Sequence, residues 1–207
     1  MSERSAEMIA DPPIPDNAIS MTEWEKHDRV EVVNGEILKM APVKAHHVIV
    51  MTNLFLALHQ FITAHPIGHV FPDSMPYVLD GDERADWVSG SRIPDISFVS
   101  QDKIVEHTTK YGNNFKYFHL APDLAVEIVS EHDRYSDIFQ KITDYLKYGT
   151  QLVWIIDAPN RTIRVHTPDK PDGQTLKDTD ILTGDPVLQG WSMSVAAIID
   201  TSLSPNP

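Results

Sequence analysis

The sequence predicts an α/β fold of the mixed α+β kind: a central sheet with parallel and antiparallel strands, flanked by helices, with an N-terminal hairpin. Three observations lead there. Strand-length apolar runs at residues 124–129 and 152–156 enclose an amphipathic stretch at 134–149, and strand, helix, strand implies a right-handed parallel crossover. Residues 45–64 keep apolar side chains at helical spacing over a length that can cross a sheet. Asn34-Gly35 stands between two short segments of strand character and is a strong hairpin signal, because both turn residues need positive φ.

Taken in order, residues 1–19 carry Pro12, Pro13 and Pro15 among polar residues without periodicity and read as a loosely attached arm. Residues 20–27 read as a short helix opened by a Ser/Thr cap, followed by the hairpin at 29–40. In the helix at 45–64, Val50, Leu54, Leu58, Phe61 and Ile62 mark the face that packs on the sheet. Residues 69–79 look extended, with Pro72 and Pro76 restricting them to an edge or a bent strand. Residues 81–91 read as a charged loop. The runs at 93–99, 124–129 and 152–156 are rich in β-branched residues, and two of them are almost unbroken, as strands covered on both faces are. Between the last two, Ile138, Phe139, Ile142, Tyr145 and Leu146 form an apolar stripe that Gly149 can end. Residues 161–166 pair back on the preceding strand through 158–160, and 186–200 close the fold as a hairpin or short helix.

The chain of 207 residues and 23.3 kDa suits a single domain at 20–200, with a short tail at 201–207. At 42% hydrophobic residues it can bury a sizeable core. The absence of cysteine excludes disulfides, thiolate metal sites and a cysteine nucleophile. With no secretory leader and no unbroken apolar run of about 20 residues, a cytoplasmic protein that does not span a membrane is expected. A net charge of −13 argues against sequence-independent coating of a polyanion. Residues 134–170 are the exception, with six Lys/Arg against four Asp/Glu, and are where a phosphate would be met.

The carboxylates that point to chemistry are those set in apolar strands, because a charge there loses hydration unless something compensates it. Asp95, Glu127 and Glu31 qualify. Two carboxylates on neighbouring strands can hold a magnesium ion through oxygen and leave positions for water and phosphate. The plainer reading of each alone is a solvated or ion-paired strand-end acid. Lys141 changes the balance. The strand advances about 13 Å from Glu127 to Glu131 at roughly 3.3 Å per residue, and the helix returns about 12 Å from Asp133 to Lys141 at 1.5 Å per residue. Lys141 therefore comes back level with Glu127, able to orient a water or steady charge on a phosphate. Its plainer reading is an i, i+4 surface pair with Asp137. Ser130, Arg134 and Asp137 can arrange the helix entrance, and His46 and His47, which precede the helical stripe, offer a side chain that can sit beside a metal or phosphate or simply make a helix-start hydrogen bond. Tyr145, Trp154 and Trp191 read as core aromatics. No paired histidine spacing suggests zinc, and no glycine-rich phosphate loop occurs.

The order Glu31-Val-Val-Asn-Gly-Glu36, His47 before a long helix, Ile93-Pro-Asp-Ile-Ser-Phe-Val99, Pro122-Asp-Leu-Ala-Val-Glu-Ile-Val-Ser130 and Asp133-Arg-Tyr-Ser-Asp-Ile-Phe-Gln-Lys141, continued by Tyr145, Gly149 and Trp154-Ile-Ile-Asp157, resembles the Uma-type restriction endonuclease family over about residues 22–199. That family resembles the PD-(D/E)XK nucleases. The resemblance implies a restriction-endonuclease-like core and a metal-dependent endonuclease that hydrolyses DNA phosphodiesters with Mg2+, Mn2+ being the substitute. Asp95 matches the first acid and Glu127 the second, with Glu31 an additional acid. Two residues beyond Glu127 stands Val129 where the superfamily pattern has lysine, and the resemblance moves that role to Lys141. It also implies DNA as partner and a homodimer. The competing expectation is a non-catalytic interaction or regulatory module on the same fold.

Overall fold

The protein is described by a computed structural model over residues 13–130 and 133–202. Residues 1–12 of the expected arm, Glu131, His132 and residues 203–207 of the expected tail lie outside the described residues. Of the remaining arm residues, Ile19 bridges to Val88 and packs on a buried cluster.

The helix α1 (Met21–Trp24) opens on Ser20, whose hydroxyl accepts from the Glu23 N–H. The hairpin of β1 (Val30–Val33) and β2 (Glu36–Lys39) turns on Asn34 and Gly35, both at positive φ. α2 (Ala45–Ala64) has the expected bounds. By length and composition alone it could cross a bilayer, but Val50, Leu54, Leu58 and Ile62 are buried against the larger sheet. β3 (Gly68–Pro72) is an edge strand, as its proline requires, and the chain then leaves for β4 (Tyr77–Asp82) in a second sheet.

The expected charged loop at 81–91 is instead largely strand. β4 turns through Asp86, at positive φ, into β5 (Trp87–Arg92). The polar residues that disguise it point inward with partners: Ser89 Oγ donates to Asp80, and Ser91 Oγ accepts from the Val32 N–H at 2.8 Å. β6 (Ile96–Ser100) leads into α3 (Gln101–Tyr111), a helix the sequence reading did not place. β7 (Leu124–Ile128), α4 (Tyr135–Lys147) and β8 (Leu152–Asp157) form the parallel crossover, with Gly149 at positive φ beyond the helix. β9 (Thr162–Thr167) returns antiparallel to β8, and β10 (Lys170–Lys177), also unplaced by sequence, extends the edge. The end closes as β11 (Ile181–Gly184), β12 (Leu188–Ser194) and α5 (Val195–Ile198), so both forms expected at 186–200 occur in succession.

The larger sheet has the order β10-β9-β8-β7-β6-β3 and the smaller β2-β1-β5-β4. β7 and β8 are covered on both faces. Leu124, Val126, Ile128, Leu152, Trp154 and Ile156 pack on α2, while Ala125, Val153 and Ile155 pack on Ile142 and Tyr145 of α4. Period-2 alternation thus places Glu127 on the α4 face. Trp154 and Trp191 stack in the core with ring centroids 5.3 Å apart.

Candidate active site

The two sheets meet where Arg92, the last residue of β5, is followed by Ile93-Pro94 and then Asp95, just before β6. This short crossover carries two charged side chains into the space between β1, β7 and α4. From β1 comes Glu31, from β7 Glu127, and from α4 Lys141, Asp144 and Tyr145. Glu31, Arg92, Asp95 and Glu127 are each at most 6% exposed.

At the centre, Lys141 Nζ lies 2.7 Å from Glu127 Oε2 and 3.6 Å from Glu31 Oε1. Tyr145 Oη donates to Glu127 Oε1 at 2.7 Å. Glu31 is held from behind: Arg92 Nη1 donates to its Oε2 and the Ile93 N–H to its Oε1, both at 2.9 Å. Arg92 also donates to Asp144 Oδ2, with Nη2 at 2.5 Å. Asp95 Oδ2 accepts from the Ile128 N–H at 2.6 Å, which ties it to the residue after Glu127, and Asp95 Oδ1 pairs with His47 Nε2 at 3.0 Å. Lys141, with 21% of its side chain exposed, stands at the mouth.

Charge and burial compete in this cluster. Burial pushes the Glu127 carboxyl up to about 7; Lys141 pulls it down, while Asp95 and Glu31 add to the rise. Burial opposes the Lys141 charge, but Glu127 and Glu31 outweigh it and its pKa rises, so the amine stays protonated at neutral pH. Burial likewise acts against ionised Glu31, yet Lys141 and Arg92 hold its pKa below the ordinary carboxylate value. For His47, burial opposes the cation and Asp95 more than compensates, raising its pKa. Tyr145, buried beside Glu127 and Glu31, is raised well above the usual phenol value and remains a neutral donor.

The donor set suits a hard divalent cation, since it offers carboxylate oxygens only. Four carboxylates, Glu31, Asp95, Glu127 and Asp144, face two permanent cations, Arg92 and Lys141, and the histidine His47, so acids outnumber bases at the site. Among the described residues no group of three His, Asp or Glu side chains is gathered as a ligand cage. The residues therefore fit an ion held by Asp95 and Glu127, with water and substrate completing its shell, as is usual for Mg2+. Glu31, Asp95 and Glu127 each have both oxygens engaged within the chain, and Glu31, the one bound to the Arg92 guanidinium, fits a supporting position.

A family model named Uma2 and described as "Putative restriction endonuclease" matches residues 20–196. The chain belongs to the Uma2 family. Among solved structures it resembles a "putative nuclease belonging to DUF820" from Anabaena variabilis ATCC 29413, at 20% identity and a TM-score of 0.73, over 87% of this chain and 97% of that one. That likeness establishes the nuclease-type mixed α/β fold. A search of curated proteins gave no match.

Of the residues that sequence reasoning singled out, the Uma2 fold brings together Glu31, His47, Asp95, Glu127 and Lys141. Ser130, Arg134 and Asp137 lie at the entrance of α4: the Ser130 N–H donates to Asp133, Arg134 is the exposed N-cap residue, and Asp137 accepts from Ser136 Oγ at 3.0 Å. The surface pair of Asp137 with Lys141 is not what forms, because Lys141 turns inward to Glu127 and Glu31. Sequence reasoning missed Arg92 and Asp144 and the hydroxyl role of Tyr145. One signal was available: Arg92 directly precedes the apolar Ile93-Pro94, an awkward place for a charge without a partner.

Proposed function

We propose that this Uma2 protein is a divalent-metal-dependent endonuclease hydrolysing DNA phosphodiester bonds. The observation that carries the reading is the meeting of three buried carboxylates and one amine from β1, the β5–β6 crossover, β7 and α4, within 3.6 Å of Lys141 Nζ for two of them. Burying such a set costs several kcal/mol per charge unless a function or a compensating partner retains it.

Asp95 and Glu127 would hold Mg2+ or Mn2+. When bound, the ion supplies an acidified water and neutralises charge on phosphoryl oxygens. The chain does the rest. Protonated Lys141 cannot act as a base, so it donates to the attacking water or to a non-bridging phosphate oxygen as charge builds. Tyr145 and His47 fix the rotamers of Glu127 and Asp95, and Arg92 locks Glu31 and Asp144 behind them.

Nicking of plasmid DNA in Mg2+ or Mn2+, with a chelator control, tests this. Glu127→Gln, Asp95→Asn and Lys141→Ala should each cut the rate by about 100-fold or more while remaining folded by circular dichroism. Cleavage equal to wild type in all three would sink the assignment. One observation favours a non-catalytic module instead: the oxygens of Glu31, Asp95 and Glu127 already have partners within the chain. Calorimetric titration with Mg2+ separates the two, because only the enzyme reading requires a binding signal that Asp95→Asn removes.

A further inference from the structure

We propose that the groove between α4 and the β9–β10 hairpin receives one unstacked nucleobase from a strand whose phosphate lies at the Glu127–Lys141 centre. This rests on the nuclease reading of that centre and adds how the strand is gripped and in what form.

The groove encloses about 390 Å³ and is lined on one side by Tyr135, Ile138, Phe139 and Ile142 of α4 and on the other by Arg164 and His166. Tyr135 and Phe139 lie one helical turn apart with 74% and 62% of their surface exposed. Two large rings presented to water side by side are a platform in search of a flat partner. Tyr135 is held in place, because Arg164 Nη1 donates to its hydroxyl at 3.0 Å.

The opposite wall offers little for reading a base edge. Arg164 Nη2 donates to the Asp172 carbonyl at 2.7 Å and His166 Nδ1 pairs with the Pro171 carbonyl at 2.8 Å, while Arg164 Nε and His166 Nε2 are buried. On the α4 side an incoming molecule meets ring face, so the grip is mainly by stacking.

Position and charge choose a nucleobase over other occupants. Val129, one residue beyond β7, lines the groove and follows Glu127 by two residues on the same α4-facing side, about 7 Å along the chain. Lys141 follows Ile138, which lines the groove, by three residues on α4, so the two are neighbours on the helix surface. The groove is therefore a neighbour of the candidate site, at the reach of the next nucleotide in an extended strand. Asp133, Asp157 and Asp172 also line it. They repel phosphates toward the Lys141 side and admit only an uncharged ring, and they disfavour a second copy of a chain that carries −13. A paired base cannot enter, so a single-stranded or locally opened strand is the form held.

The test uses full-length protein in the turnover-blocking Glu127→Gln background with Mg2+, and oligonucleotides bearing one 2-aminopurine, whose emission falls on stacking. Single-stranded DNA and RNA probes should both bind with quenching, and their duplexes much more weakly. Adding Tyr135→Ala or Phe139→Ala should weaken single-strand binding by about tenfold or more and remove the quenching, without moving the thermal midpoint, because both rings are exposed. Unchanged affinity in both variants, no binding of any probe, or equal binding of duplex would overturn the proposal. A shift in oligomeric state caused by either substitution would assign the groove to a second copy and overturn it too. Plasmid cleavage by wild type alongside unaffected variants would remove the groove alone; ring-dependent binding without any cleavage by wild type would remove the nuclease reading alone.

Discussion

Arg92 donates to Glu31 and Asp144 at once while only 4% exposed, so its guanidinium fork is the fixed point behind the candidate ligands. Arg92→Ala leaves the carboxylates of Glu31 and Asp144 without their shared guanidinium and should cost about 3–5 kcal/mol in urea unfolding; a loss below about 1 kcal/mol would show that the pairing is dispensable. The place of Arg92 before Ile93-Pro94 was a faint signal, but an isolated arginine usually marks surface, and only the smaller sheet's position shows where its charge goes. Lys141 was readable because strand rise and helix rise place it level with Glu127 without any knowledge of the rest. A second titrating residue lies away from the site. His107 Nε2 accepts from the His119 N–H, and burial, with His119 and Lys110 adding, pushes the ring's pKa from 6.5 down to about 4. Between those values the unfolded chain holds more protons than the folded one, so this residue's contribution to stability is lost as pH falls from about 6.5 toward about 4. His107→Gln, which keeps an acceptor, should flatten that part of the pH–stability curve by roughly 1–3 kcal/mol; curves of identical slope would refute it.

Among the elements, those whose pattern is carried by their own side chains were legible. α2 shows its stripe at Val50, Leu54 and Leu58, and β7 and β8 show unbroken apolar runs because both faces are covered. β5 was hidden because Ser89, Gly90 and Ser91 satisfy their burial through hydrogen bonds to a neighbouring strand rather than through apolar character. β10, written as Lys170–Lys177, is mostly exposed and extends an edge, so nothing in its sequence period announces it. The first hairpin is the opposite case. Gly35 sits at φ +80°, and a side chain there would collide with the Asn17 carbonyl. Gly35→Ala should therefore destabilise by more than about 1 kcal/mol, measured by thermal melting, whereas Leu54→Ala in α2 should cost about 2–5 kcal/mol by opening a cavity under the larger sheet. A hairpin substitution more damaging than the core one would contradict this ranking.

At the scale of the whole molecule, the surplus of acids over bases at the seam between the sheets would make folding and the proposed cation binding interdependent. An ion that binds only the native state adds about 2.7 kcal/mol at a hundredfold excess over its dissociation constant. Mg2+ should accordingly raise the melting temperature of the wild type by several degrees and leave that of Asp95→Asn nearly unmoved; equal shifts would mean the ion acts elsewhere. The crossover Arg92-Ile93-Pro94-Asp95 gives this arrangement a further meaning. Its two ends are anchored in different sheets, and neither sheet alone brings Glu31 to Glu127. A chain still emerging from synthesis, or one whose halves have come apart, holds no assembled centre, so any chemistry proposed for the seam waits until both sheets are in place.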